Sequence, residues 1–181
     1  MQLRYSSALN KEEDDMATIT LKGQPIHTAG NLPAVGSKAP AFRLTGFDLS
    51  DVGLEKFAGK RKILNIVASL DTGVCAASAQ RFNSEVAKMK DTVLLNISAD
   101  LPFAAQRFCE SHSLKNVVTL STFRAAAFGR DYGTLITDGP MAGLQSRAVL
   151  ILDGSNKVIY TQQVPEVSQE PDYAAVLAAL K

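Results

Sequence analysis

Two cysteines, Cys75 and Cys109, are the side chains with the widest chemical repertoire in this sequence, and the first sits in a stretch that offers a rival. The segment Ser69-Leu-Asp-Thr-Gly-Val-Cys-Ala-Ala-Ser78 begins with Asp71-Thr72-Gly73, the triplet in which aspartic proteases carry a catalytic carboxylate. That chemistry needs two carboxylates sharing one proton, so that their pKa values split. The chain has a single Asp-Thr-Gly, and a helical pattern rather than a β-turn follows it. Asp71 therefore reads as a turn residue.

The thiol reading has more support. Cys75, Ala79, Phe82, Val86 and Met89 recur at spacings of four, three, four and three, one face of a helix beginning at the cysteine. Unpaired amides and the helix dipole at such a start stabilise a thiolate, lowering a thiol from about 8.5 to as little as ~3.5–7.5. Thr72, three residues earlier, could offer its hydroxyl to the helix amides as a cap, or to the sulfur and its substrate. The bland alternative for Cys75 is a small buried residue on an apolar face. Leu101, Ala105, Phe108 and His112 sketch a second helix, which starts near Pro102 and carries Cys109. Cys109 is either inert there or the partner of a redox pair. Bonding would bring the two Cα atoms within about 7 Å, which two helical cysteines achieve only if one segment unwinds.

Other uses of these groups fit poorly. Cys75 and Cys109 stand 34 positions apart, and His27 and His112 show no metal-ligand spacing, so no zinc site is expected. A cysteine hydrolase needs a histidine base beside the thiol, and neither histidine lies in an obvious companion loop. Thioredoxin-like exchange uses Cys-x-x-Cys, whereas Cys75 is followed by Ala-Ala-Ser78. The net charge of +1 comes without a basic block, which argues against a nucleic-acid partner. No apolar run approaches the length of a membrane span. Two cysteines without a secretory signal point to the cytoplasm.

The elements that must position these residues alternate. Residues 18–21 (TITL) and 26–28 flank Lys22-Gly-Gln-Pro25 as an N-terminal hairpin. Residues 62–67 (KILNIV), 92–98 (TVLLNIS) and 116–120 (NVVTL) read as strands covered on both faces. A third helix is expected over residues 125–132, ended by Gly133, and a last one over residues 170–180 with Pro171 near its start. Residues 148–152 and 157–161 flank Asp153-Gly-Ser-Asn156 as a second hairpin. The pattern predicts an α/β fold, a mixed sheet with helices on both faces, in one domain over residues 16–181. Residues 1–15, polar and ending in an acidic cluster, read as a disordered tail or an upstream start ahead of Met16.

Several longer stretches carry a resemblance. Asp71-Thr-Gly-Val-Cys-Ala-Ala-Ser78, Ile97-Ser-Ala-Asp-Leu-Pro-Phe103 running into Arg107-Phe-Cys109, and Leu120-Ser-Thr-Phe-Arg124 resemble the bacterial thiol peroxidases, the atypical two-cysteine peroxiredoxins. Asp138-Gly-Pro140, Arg147-Ala-Val149 and Glu170-Pro-Asp-Tyr173 extend the match over residues 16–181. The resemblance implies a thioredoxin-like fold with an N-terminal β-hairpin extension, acting in antioxidant defence. It implies reduction of hydrogen peroxide and alkyl or lipid hydroperoxides without a cofactor or metal. Cys75 would be the attacking thiolate, and Cys109 would resolve its sulfenic acid to an intramolecular disulfide recycled by thioredoxin. Thr72 would hydrogen-bond thiolate and peroxide, and Arg147 would set a positive charge beside the sulfur. A homodimer is implied as well. One departure is Ala68, where the family pattern has a proline packed over the pocket; alanine implies a more open pocket with altered over-oxidation. A general dithiol oxidoreductase and a binding module without catalysis are the competing readings.

Overall fold

In the computed structural model, which describes residues 16–181, strands and helices alternate along the chain. They are β1 (Thr18–Leu21), β2 (Gln24–His27), β3 (Leu44–Thr45), β4 (Asp51–Val52), β5 (Arg61–Ile66), α1 (Gly73–Val86) and β6 (Thr92–Ser98). Then follow α2 (Pro102–Ser111), β7 (Val117–Ser121), α3 (Ala126–Asp131), β8 (Ala148–Leu152), β9 (Val158–Gln163) and α4 (Tyr173–Ala178). The tail expected over residues 1–15 lies outside the described residues.

Seven strands form one sheet in the order β4-β3-β7-β6-β5-β8-β9, and β1 pairs with β2 as a separate hairpin. β5, β6 and β7 run parallel, while β8 is antiparallel to β5 and β9 to β8. This is the expected thioredoxin-like mixed sheet with its hairpin extension. The central strands are apolar along their length because both faces are covered. Leu64 and Ile66 pack with Phe42, Phe128 and Tyr132 on one face. Ile63, one residue out of phase, packs with Phe82, Val86 and Val176 on the other. Helices thus cover both faces.

Several boundaries differ from expectation. The first hairpin turns on two residues, Lys22 (φ 52) and Gly23 (φ 77), so β2 already includes Gln24 and Pro25. Positive φ at both positions suits the right-handed twist of the ribbon. α1 ends at Val86, three residues before Met89. α4 begins at Tyr173 rather than near Glu170, because the Asp172 side chain accepts from the Ala175 amide at 3.0 Å and caps the helix there. β3, β4 and a 3₁₀ turn over Leu54–Phe57 fill a region for which no element was expected. Gly133 does end α3; a Cβ on it would overlap the Asn31 carbonyl.

Candidate active site

β5 ends at Ile66, and the chain crosses the carboxyl end of the parallel strands before entering α1. That crossing loop is held by Asp100, which follows β6. Its carboxylate accepts the Leu70 amide (2.7 Å), the Ser69 hydroxyl (2.7 Å) and the Ser98 hydroxyl (2.8 Å). The Asp100 carbonyl accepts the Ser121 hydroxyl at 2.5 Å, which ties the same point to β7. One acidic side chain therefore fixes where α1 begins.

Cys75 is the third residue of α1 and is fully buried. Its first-turn position matches the expectation from spacing, and its neighbours Val67, Leu70, Ala79, Ala105 and Phe108 form an apolar cluster. Arg147, at the entrance to β8, reaches the sulfur: Nη2 lies 3.2 Å from Sγ. The guanidinium is itself buried, with Nη2 and Nε donating to the Val167 carbonyl at 3.1 and 3.3 Å. Nη1 is buried with no partner. A helix start and a buried cation thus converge on one thiol. Tyr173 lies nearby, its ring edge-on to Phe82 and under the Arg81 guanidinium. Burial, then the Glu170 carboxylate, pushes its phenol well above the usual tyrosine range, while Arg147 and Arg81 pull the other way.

Thr72 occupies the N-cap position, yet its side chain neither caps the helix nor meets the sulfur. Its exposed hydroxyl donates to the Ser69 carbonyl at 3.3 Å. The local turn satisfies it first. Asp71 is exposed, and its amide donates to the Ser69 hydroxyl at 3.1 Å. Ser78, where a Cys-x-x-Cys motif would have its second thiol, is buried and bonds the Cys75 carbonyl at 2.9 Å. Asn65 links it to Asn96 across the centre of the sheet. Ala68 is buried one residue beyond Val67, whose amide makes a ladder bond to the Ile97 carbonyl at 2.9 Å.

Cys109 is the eighth residue of the ten in α2, half-buried at the edge of the cluster that holds Cys75. Both thiols are free. Burial, then the adjacent Glu110, pushes the Cys109 thiol up from its ordinary value. The helix closes just beyond it: Ser113 adopts a left-handed φ of 54°, its amide donates to the Glu110 carbonyl, and the Leu114 amide donates to the Cys109 carbonyl at 2.9 Å. This is a Schellman cap without its usual glycine. Cys109 also lines an apolar cavity of about 610 Å3 with Phe47, Val52, Leu114 and Val117. Among the described residues no group of histidine, cysteine and carboxylate side chains could hold a metal.

Sequence reasoning missed Asp100 and Val167. Asp100 lay inside a recognised motif, and the Ser98-x-Asp100 spacing was a usable signal for a local turn. Val167 acts through its carbonyl and left no side-chain signal.

Comparisons with known proteins identify the family. The redoxin family profile matches residues 34–177. Thiol peroxidases of Mycobacterium bovis and Mycobacterium tuberculosis are 52% identical over 165 residues, covering 91% of this chain and 99% of theirs. A peroxiredoxin-like protein from Aquifex aeolicus superimposes with a TM-score of 0.84 at 38% identity, over 91% of this chain and 96% of its own. A thiol peroxidase from Chromobacterium violaceum does so with a TM-score of 0.84 at 25% identity, over 90% and 94%. A chain with this sheet, this buried thiol and these relatives belongs to the redoxin family and, within it, to the peroxiredoxin-type thiol peroxidases.

Proposed function

We propose that the chain reduces hydrogen peroxide and alkyl or lipid hydroperoxides through Cys75, with Cys109 as the resolving thiol, in cytoplasmic antioxidant defence. The observation that carries the reading is the Arg147 guanidinium 3.2 Å from a sulfur in the first turn of a helix. The Cys75 thiolate attacks the terminal peroxide oxygen; the O–O bond breaks, the alkoxide takes a proton and leaves as alcohol, and sulfur is oxidised to sulfenic acid. Arg147 offsets the charge on the thiolate and, through its unpartnered Nη1, can donate to the peroxide. Thr72 is exposed beside the helix start and reaches the substrate by turning its hydroxyl away from Ser69. The Cys109 sulfur then attacks the sulfenic sulfur, forming the disulfide and releasing water. Thioredoxin returns two electrons, which regenerates both thiols.

The buried Ser78 favours this reading over general dithiol exchange, since a serine cannot supply the second sulfur. Residues 16–181 constitute the functional unit. A homodimer is supported by Leu101, Phe103 and Phe123, large apolar side chains exposed on segments that meet at Asp100.

Intact mass tests the chemistry, after fully reduced protein meets one equivalent of cumene hydroperoxide. Wild type is expected to lose two hydrogens, Cys109→Ser to gain one oxygen on Cys75, and Cys75→Ser to stay unchanged. An unmodified wild type whose Cys75 still accepts an alkylating reagent would remove the peroxidase reading and favour a binding role.

A further inference from the structure

The guanidinium of Arg147 is oriented by few groups. Among the described residues the Val167 carbonyl is its only hydrogen-bond acceptor besides the Cys75 sulfur. What holds Val167 therefore decides where Nη2 points.

Val167 lies in the segment between β9 and α4, and the N-terminal hairpin holds that segment through both backbone and side chains. The Thr20 amide donates to the Pro165 carbonyl at 2.7 Å, and the Val167 amide donates to the Thr20 carbonyl at 2.9 Å. The Val167 side chain packs with Ile19 and Ile26 of the hairpin and with Ile136 from the loop after α3. Glu166 fastens the arrangement. One carboxylate oxygen accepts the Thr20 hydroxyl (2.7 Å) and the Gly23 amide (3.1 Å). The other accepts the Lys22 amide (3.1 Å), the Ser168 amide (3.2 Å) and the Ser168 hydroxyl (2.9 Å). A single side chain thus binds the hairpin turn on one side and the residues flanking Val167 on the other.

We propose that Glu166 is a positioning residue for the thiol: it locks the hairpin to the segment 165–168, so that the Val167 carbonyl aims Arg147 Nη2 at the Cys75 sulfur. The proposal rests on the role given above to Cys75 and deepens it. A guanidinium is a planar fork whose donors act only along fixed directions, so a shift of its one carbonyl acceptor swings Nη2 off the sulfur. The hairpin is thereby part of the active-site scaffold, although none of its described residues bonds the Arg147 guanidinium or the Cys75 sulfur.

The test compares Glu166→Ala and the milder Thr20→Val, each in a Cys109→Ser background so that only Cys75 reacts. The readouts are the pH profile of Cys75 alkylation by iodoacetamide and the second-order rate constant with cumene hydroperoxide. The same variants are then made with Arg147→Met, with circular dichroism as a check on folding. Glu166→Ala is expected to slow Cys75 at pH 7 about tenfold and to move the alkylation profile to higher pH, a coupling typical of side chains in one hydrogen-bond network. Thr20→Val should show a smaller change in the same direction, and neither should add to the effect of Arg147→Met.

Glu166→Ala with an unchanged profile would overturn the proposal. So would equal slowing with and without Arg147, because that is the mark of a general loss of structure. If Glu166→Ala fails to fold, an unchanged profile in folded Thr20→Val counts equally against it. A wild type that alkylates but ignores peroxide would remove the peroxidase reading alone, and the alkylation comparison would still judge the positioning role.

Discussion

Removing the Asp100 carboxylate should loosen the loop that launches α1, and the size of the effect follows from its partners. Asp100→Ala withdraws three acceptances, from the Ser69 and Ser98 hydroxyls and the Leu70 amide. The hydroxyls can rotate toward other acceptors. The amide cannot, and Leu70 is only 2% exposed. A buried donor left unpaired costs about 1–3 kcal/mol, and a hydrogen bond to a charged group contributes ~1.5–3 kcal/mol. These figures describe largely the same loss, so the expected destabilisation is about 3 kcal/mol. With a urea slope of ~2–3 kcal/mol/M, the unfolding midpoint should fall by about 1 M. Asp100→Asn keeps one acceptor in the same shape and should lose roughly half as much. Amide exchange gives the local reading, since the Leu70 amide should lose protection before the central strands do. Peroxide reduction should slow by at least about tenfold, because displacing a reacting group by an ångström is that expensive. A midpoint within ~0.3 M of wild type, with Leu70 still protected, would refute the reasoning.

Three further outcomes are expected. Ala68→Pro leaves the Val67 ladder bond intact, so it should fold normally; it should change the peroxide rate constant or reduce over-oxidation, and equal values of both would remove Ala68 from the argument. Lys62 is fully buried with Nζ on the Asn156 side chain, and burial lowers its pKa below the ordinary 10.5. The unfolded chain then binds more protons between the two values, so wild-type stability should gain on Lys62→Met as pH rises toward 10.5; denaturation at two alkaline pH values checks the sign. Ser113→Gly relieves a left-handed conformation that costs an L-residue about 1–2 kcal/mol. Stopped-flow measurement should show Cys75–Cys109 disulfide formation slowing about fivefold or more, with the initial attack on peroxide unchanged.

The sequence was most informative where a long run had one physical cause. The branched apolar runs of β5, β6 and β7 announce strands covered on both faces, and the face from Cys75 through Ala79, Phe82 and Val86 announces α1. β3 and β4 are two residues each, too short for any period to register. The start of α4 was misplaced because Pro171 and Asp172 are both good opening residues, and the bond from Asp172 to Ala175 decides between them. Within the site, a thiol at a helix start is a local pattern and could be read. Arg147 lies 72 positions from Cys75, and a cation entering a strand has no signature of its own. Only the family resemblance singled it out. Thr72 shows the opposite limit: its type and place suit a cap, but the geometry of the loop gives its hydroxyl to Ser69.

The Schellman closure of α2 sets a clock. Cys109 contributes its own carbonyl to that closure, so on the proposed chemistry the resolving sulfur travels only after the helix end has opened. The wait begins when Cys75 is oxidised, and during it a second peroxide competes for the same sulfur. The ratio of opening rate to that second attack defines a peroxide concentration above which each cycle risks irreversible loss of the thiol. The left-handed Ser113 weakens the latch and shortens the wait. A serine where glycine would be more stable thus exchanges some helix stability for tolerance of oxidant bursts.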